Sequence, residues 1–261
     1  MTSIVEIDFA QRDGFRPLSL DLRMPDAGAA ALVVFLHGGG WLRGSRKVFT
    51  PGISDARSFD RIVAAGIAVA SCEYRLSGEA RFPAQLDDVA AALDWFAENG
   101  AQHGIDPSRI VLWGVSAGAT LAALTGLRRP DVRGVVDWFG PADLFAMAEH
   151  DRDRDGAEAP EDTREARWLG APAAVAQAAA RAASPALQVR PGAPPFHIAH
   201  GTADENVPFS QSETLARALA DAGADVELVP VPGAKHFWQG MADTDEVFER
   251  AIAFVRRAAG R

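Results

Sequence analysis

A chain of 261 residues with a single cysteine, Cys72, cannot close an internal disulfide. That cysteine ends the apolar stretch Ile67-Ala68-Val69-Ala70-Ser71-Cys72, so it reads as a small buried residue rather than a reactive thiol. Long apolar runs are missing too: none approaches the roughly 20 residues that a membrane-spanning helix needs. The opening residues, Met1-Thr2-Ser3-Ile4-Val5-Glu6-Ile7-Asp8, have neither the basic segment nor the apolar centre of a secretory leader, and a cytoplasmic location is expected. Runs of lysine or arginine are absent. Lys and Arg total 26 against 35 Asp and Glu, a net charge of −9 that disfavours nucleic acid and anionic membrane as partners. No cysteine–histidine cluster and no paired-carboxylate spacing suggests a metal, so none is expected.

What is present is ordinary for a soluble globular enzyme: 48% hydrophobic and 23% charged residues, in a length sufficient for one large α/β core. Polar–apolar alternation at 4–9 and 18–22, around Asp13-Gly14, predicts an antiparallel hairpin. The unbroken apolar run 31–36 predicts a strand buried on both faces. Similar runs recur at 68–71, 110–113, 132–136, 196–199 and 226–231. Helical patterns lie between them at 54–65, 83–98, 117–127, 210–222 and 243–257. Strand and helix in alternation predict a doubly wound, mostly parallel, eight-stranded α/β sheet with its site at the carboxyl ends of the strands.

One stretch breaks the alternation. About fifty residues separate the sixth and seventh strands, longer than an ordinary connection, and 145–193 reads as a small lid-like helical insertion in one domain spanning 1–261. Its 151–158 part is solvated and expected to be mobile, whereas 163–169 and 172–183 predict two short helices.

Gly114-Val115-Ser116-Ala117-Gly118 follows one of the strand runs and opens a helical stretch. A serine at such a turn is lifted to the sheet edge, with the helix N-terminus and its free N–H groups beneath it. The bland alternative is a serine that merely caps its helix. A serine hydroxyl attacks a carbonyl only when a base takes its proton and an acid orients that base. Asp204 falls just past the seventh strand and His236 on the loop after the eighth. The order Ser116, Asp204, His236 is that of the α/β-hydrolases. Asp143, in Gly140-Pro141-Ala142-Asp143 after the sixth strand, is the rival acid.

Upstream, His37-Gly38-Gly39-Gly40-Trp41 follows the third strand. Consecutive glycines let backbone N–H groups face an anion, so Gly38, Gly39 and Ala117 are candidates for an oxyanion hole. The glycines lack the Gly-Lys-Ser/Thr ending of a phosphate loop, which argues against nucleotide binding.

These segments, with Glu73-Tyr74-Arg75, Phe82-Pro83-Ala84-Gln85-Leu86-Asp87-Asp88, Ile105-Asp106-Pro107-Ser108-Arg109-Ile110, Ser184-Pro185, residues 200–208 and residues 232–236, give the chain a family likeness. From about Ala31 onward it resembles α/β-hydrolase-fold esterases of the hormone-sensitive-lipase-like and BD-FAE-like groups. The resemblance implies a serine carboxylesterase without cofactor, acting on small to medium esters through an acyl-enzyme. Few residues precede the glycine loop, so the N-terminal helical cap of the lipase-like group is expected to be missing, and its acyl preferences do not carry over. A small-molecule ester is the expected partner, and a homodimer is left open. Aryl formamides or peptides are alternative substrates on the same scaffold. A non-catalytic ligand binder is the alternative from another class.

The remaining polar and aromatic residues read as structural. His37 is expected to brace the glycine loop. His197 and His200, three apart on a strand, face opposite sides and cannot share a metal. His103 and His150 read as polar-loop residues. Glu73, Tyr74, Arg75 and Asp87 or Asp88 read as a buried polar cluster behind the site. Among Trp41, Phe139, Phe145, Trp168, Phe237 and Trp238, only Trp41 and Phe237 adjoin the candidate loops and are expected to line a pocket.

Overall fold

A computed structural model of the chain describes residues 4–26, 31–153 and 158–260. The apolar run near residue 31 becomes strand β3 (Leu32–Leu36), buried at every position. Its side chains alternate between two cores, as a two-residue period requires. Leu32, Val34 and Leu36 join one cluster, Val33 and Phe35 the other.

The flanking strands repeat this logic: β4 (Ala68–Cys72), β5 (Ile110–Val115), β6 (Val132–Trp138), β7 (Phe196–Gly201) and β8 (Val226–Val231). With the N-terminal β1 (Ile4–Ala10) and β2 (Leu18–Arg23) they form one eight-stranded sheet in the order β1-β2-β4-β3-β5-β6-β7-β8. Strand β2 runs antiparallel to β1 and β4; every other pair is parallel. This is the doubly wound arrangement that the alternation of elements predicts.

Helices cover both faces. Helices α2 (Ala84–Asn99), α3 (Ala117–Gly126) and α7 (Ser210–Asp221) supply Leu93, Leu121 and Leu215 to one core. Helices α1 (Phe59–Ala64) and α8 (Asp245–Ala259) supply Ile62 and Phe248 to the other. Between β6 and β7 lie α4 (Leu144–Arg152), α5 (Arg164–Leu169) and α6 (Gln177–Ala182).

Three local expectations differ from what is observed. The helix predicted over 54–65 is broken at Ser58, whose hydroxyl donates to the Ser54 carbonyl at 2.9 Å; α1 starts only after it. The helix predicted over 172–183 shrinks to α6, because Ala176 departs from helical dihedrals at φ −85°, ψ 45°. His150 sits in α4 rather than in a loop. Of the stretch 151–158, residues 154–157 lie outside the described residues.

Register lines up the carboxyl ends of the central strands. Leu36 pairs with Gly114, Val115 with Trp138, Trp138 with Ala199 and Gly201 with Val231. The loops after β3, β5, β7 and β8 therefore leave from one edge.

Candidate active site

Ser116 occupies the turn between β5 and α3 with φ 53° and ψ −124°, a conformation that L residues rarely adopt. Its N–H donates to the Trp138 carbonyl at 2.8 Å, and its own carbonyl accepts from Ala119 at 2.8 Å. The flanking glycines are required by close approach. A Cβ on Gly114 would stand 2.2 Å from the Gly118 oxygen, and one on Gly118 would stand 2.1 Å from the Leu36 oxygen. The turn is thus pressed against the end of β3, which places the glycine loop beside the serine. A Cβ on Gly38 would lie 3.3 Å from Ser116 Cβ.

His236 follows β8, in a turn where Phe237 and Trp238 hold φ near 58° and 62°. Asp204 follows β7. Their loops meet because Gly201 lacks a side chain: a Cβ there would lie 2.2 Å from the Ala234 oxygen. His236 Nδ1 is 2.6 Å from Asp204 Oδ2, and His236 Nε2 is 3.1 Å from Ser116 Oγ. An ionised carboxylate only accepts, so Nδ1 carries the proton and Nε2 is free to accept from the serine hydroxyl. All three side chains are buried.

Asp204 Oδ1 accepts from the amides of Asn206 and Val207 at 2.9 and 3.0 Å. Burial alone pushes this carboxyl up. The hydrogen bonds from His200 and His236, the charge of His236 and the Val207 amide outweigh it and hold the group well below the usual carboxylate range. The sequence marks His200 only as a structural residue, yet its Nε2 lies 3.3 Å from Asp204 Oδ2. Nε2 also donates to the Val207 carbonyl at 2.9 Å, so Nδ1 accepts from the Ser212 hydroxyl at 2.7 Å. Asp143 goes elsewhere: it caps α4, accepting from the Phe145 and Ala146 amides at 2.9 and 3.4 Å.

Among the described residues, no turn or loop hydrogen bond uses the amide of Gly38, Gly39 or Ala117. Gly39 (φ 123°) needs its missing side chain, since a Cβ would fall 2.0 Å from the Arg43 oxygen. Behind the loop, His37 Nδ1 donates to the Gly38 carbonyl at 2.8 Å, and burial pushes this imidazole down to about 4, keeping it neutral. Tyr74 stacks on it, ring centroids 4.3 Å apart, and donates to the His37 carbonyl. In the adjoining polar cluster, Arg75 pairs with Asp88 and not with the exposed Asp87, while Glu73 pairs with Arg16 and Arg46.

Two cavities flank Ser116. One of about 480 Å³ is walled by the glycine loop, Phe49, His236 and Phe237. The other, of about 150 Å³, is walled by Trp41, Ala117, Met147, Val207 and residues around the start of α5. Trp41 and Phe237 therefore stand on opposite cavities. Trp41 is fully buried and stacked on Trp168, so it is a fixed wall. Phe237 packs on His236 with ring centroids 4.3 Å apart. Among the described residues, no group of three His, Cys, Asp or Glu is arranged to hold a metal ion. Nor is any described helix long and apolar enough to cross a membrane.

A strained serine turn after β5, an acid after β7 and a histidine after β8 of this sheet define an α/β-hydrolase-fold protein. The chain belongs to the BD-FAE family, whose model matches residues 20–219. It is 32% identical over 248 residues to esterase LipQ of Mycobacterium tuberculosis, an alignment covering 88% of this chain and 56% of that protein. It spans about half the length of that relative, and less of several others. Among solved structures, a truncated carbohydrate esterase from gut microbiota superposes with a TM-score of 0.83 at 27% identity, covering 100% of this chain and 98% of that one. A bacterial heroin esterase superposes with a TM-score of 0.78 at 25% identity, covering 99% and 84% of the two chains.

Proposed function

We propose that the protein is a serine carboxylesterase that hydrolyses small to medium carboxylic esters through an acyl-enzyme. The observation that carries this reading is the continuous hydrogen-bond series from Ser116 Oγ through His236 to Asp204, at 3.1 and 2.6 Å. Esterases among the relatives and structural neighbours support it.

Ser116 Oγ attacks the ester carbonyl carbon while His236 Nε2 takes the hydroxyl proton. The electron pair displaced onto the carbonyl oxygen is received by the Gly38, Gly39 and Ala117 amides, each such donor contributing about 3 kcal/mol to the transition state. Asp204 holds the imidazole in its tautomer and stabilises the imidazolium. Collapse breaks the bond to the alcohol oxygen, which takes the proton from His236. Water then attacks the acyl-Ser116 carbonyl, giving its proton to His236. The second collapse releases the acid and returns the proton to Ser116 Oγ. No step requires a cofactor.

The two cavities divide between the halves of the ester. The leaving oxygen must reach His236 Nε2, and His236 lines the larger cavity and not the smaller. The alcohol therefore occupies the space of about 480 Å³ and the acyl chain the space of about 150 Å³. On this reading the connection between β6 and β7 roofs the acyl side, because Met147 of α4 and Glu165 of α5 lie in that wall.

A nitrophenyl-ester assay on wild type and Ser116→Ala tests the proposal. Turnover that vanishes with the hydroxyl supports it. Turnover unaffected by the substitution, or no turnover of any ester, contradicts it.

A further inference from the structure

The Asp204 carboxylate is held on more sides than its pairing with His236 requires. Oδ1 accepts the Asn206 and Val207 amides, and Oδ2 accepts from His236 Nδ1 at 2.6 Å. A further side is taken by His200, four residues earlier on β7, whose Nε2 stands 3.3 Å from the same Oδ2. That nitrogen also lies 2.9 Å from the Val207 carbonyl oxygen. Val207 thus gives its N–H to Asp204 and takes one from His200. A single imidazole N–H braces both ends of the 204–207 turn.

This bracing needs the ring hydrogen on Nε2, because a lone pair there would face two oxygens, one of them charged. Ser212, in the first turn of α7 and 1% exposed, settles the tautomer. Its hydroxyl stands 2.7 Å from Nδ1, and a donor at that position leaves the hydrogen on Nε2. The ring itself is fully buried, with Phe209 and Phe139 at steep angles to it, 5.7 and 6.3 Å between centroids. Phe139 also packs on His236, at 4.9 Å, so both imidazoles rest against one phenyl ring. Neither His200 nor Ser212 lines a cavity beside Ser116.

We propose that His200 is a positioning residue for ester hydrolysis and that Ser212 sets it, the pair extending the series from Ser116 through His236 and Asp204 by two members. The Nε2–H keeps Asp204 Oδ2 aimed at His236 Nδ1. The two amides hold only Oδ1, so without this donor the carboxylate is free to turn. Its charge then meets the imidazolium less squarely in the transition state, while ester binding in the cavities is untouched. The inference rests on the esterase reading of Ser116 and adds two residues to its machinery.

The test measures nitrophenyl-acetate hydrolysis by wild type, His200→Leu, His200→Gln and Ser212→Ala, and by each variant combined with Asp204→Asn, after subtracting the Ser116→Ala rate. A glutamine carboxamide carries an N–H near the Nε2 position; leucine carries none. The expected result for His200→Leu is that kcat and kcat/KM fall together by roughly tenfold or more at unchanged KM. His200→Gln should recover most of that loss, and Ser212→Ala should lose about fivefold. Beside Asp204→Asn, where no carboxylate charge remains to aim, each added substitution should cost less than about twofold. Equal losses in both backgrounds would mean loosened packing and would overturn the inference. So would wild-type kcat in either His200→Leu or Ser212→Ala, and Ser212→Ala decides if His200→Leu does not fold. A wild type without turnover, or turnover that survives Ser116→Ala, overturns the esterase reading as well.

Discussion

Trp41 and Trp168 lie face to face, ring centroids 4.0 Å apart and planes within 6° of parallel. One indole belongs to the glycine loop, the other to α5 in the connection between β6 and β7. Trp168 is fixed in turn by Nε1, which donates to Gln85 Oε1 of α2 at 2.9 Å. The stack couples α5 to the glycine loop, whose Trp41 walls the smaller cavity beside Ser116. Trp168→Ala should cost roughly 3–5 kcal/mol, as large-to-small changes at buried aromatics do. Urea unfolding reads the stability, and a raised KM in the surviving protein reads the loosened wall. A variant with wild-type stability and KM would separate the two elements.

Asp204 and Asp143 are distinguishable by function. On the proposed mechanism, Asp204→Asn preserves the shape and loses the orienting charge, and kcat should drop by about 10⁴-fold. Asp143→Ala removes only the cap of α4, at about 1 kcal/mol of stability, and leaves kcat within a fewfold of wild type. The reverse pattern would transfer the acid's role to Asp143.

Gly118→Ala should be far more damaging than its size suggests. The added carbon would meet backbone oxygens, Leu36 at 2.1 Å and His37 at 2.5 Å, and neither can rotate away. Either the serine turn separates from β3 or the glycine loop shifts. The expected outcome is a loss of more than about 4 kcal/mol, or no soluble protein. Near-normal activity with unchanged thermal stability would mean that the turn and β3 are not pressed together.

Asp137, on β6 and fully buried, gives a pH signature. Burial raises its carboxyl to about 6, against a hydrogen bond from the Gly140 amide that lowers it, and its Oδ2 has no hydrogen-bond partner among the described residues. A carboxyl raised in the folded state binds more protons there than in the unfolded chain, so stability falls as pH rises between the two values. The penalty is absent below the unfolded value and complete above about 6. Asp137→Asn keeps the acceptor for Gly140 and removes the titration. Its stability relative to wild type should therefore improve as pH rises from about 4 to about 7. Urea titrations at both ends of that range check the sign. A difference that stays flat, or shrinks toward neutral pH, contradicts it.

Much of the fold was legible because both faces of the central sheet are buried. That burial makes β3 and β5 unbroken apolar runs and leaves helices to fill the intervals. The serine turn was legible through Gly114 and Gly118, whose missing side chains follow from two close backbone approaches. The choice between Asp204 and Asp143 was less so, because both follow a strand; it turns on Gly201 and Ala234, which bring only the β7 loop to His236. His200 reads as a strand residue, and only the bend after Gly201 returns Asp204 to it. Glu165 was invisible, since a first-turn acid usually faces water. Its burial comes from docking of α5 through Trp168, a tertiary contact that no local pattern encodes.

The most direct test of the proposed chemistry is to catch the acyl-enzyme. Wild type mixed with nitrophenyl acetate, quenched in acid within the first turnover and digested, should give one acetyl group on the peptide carrying Ser116. The matching release of nitrophenol should be about one equivalent per site. Acetylation of another residue, with Ser116 unmodified while ester is consumed, would contradict the account.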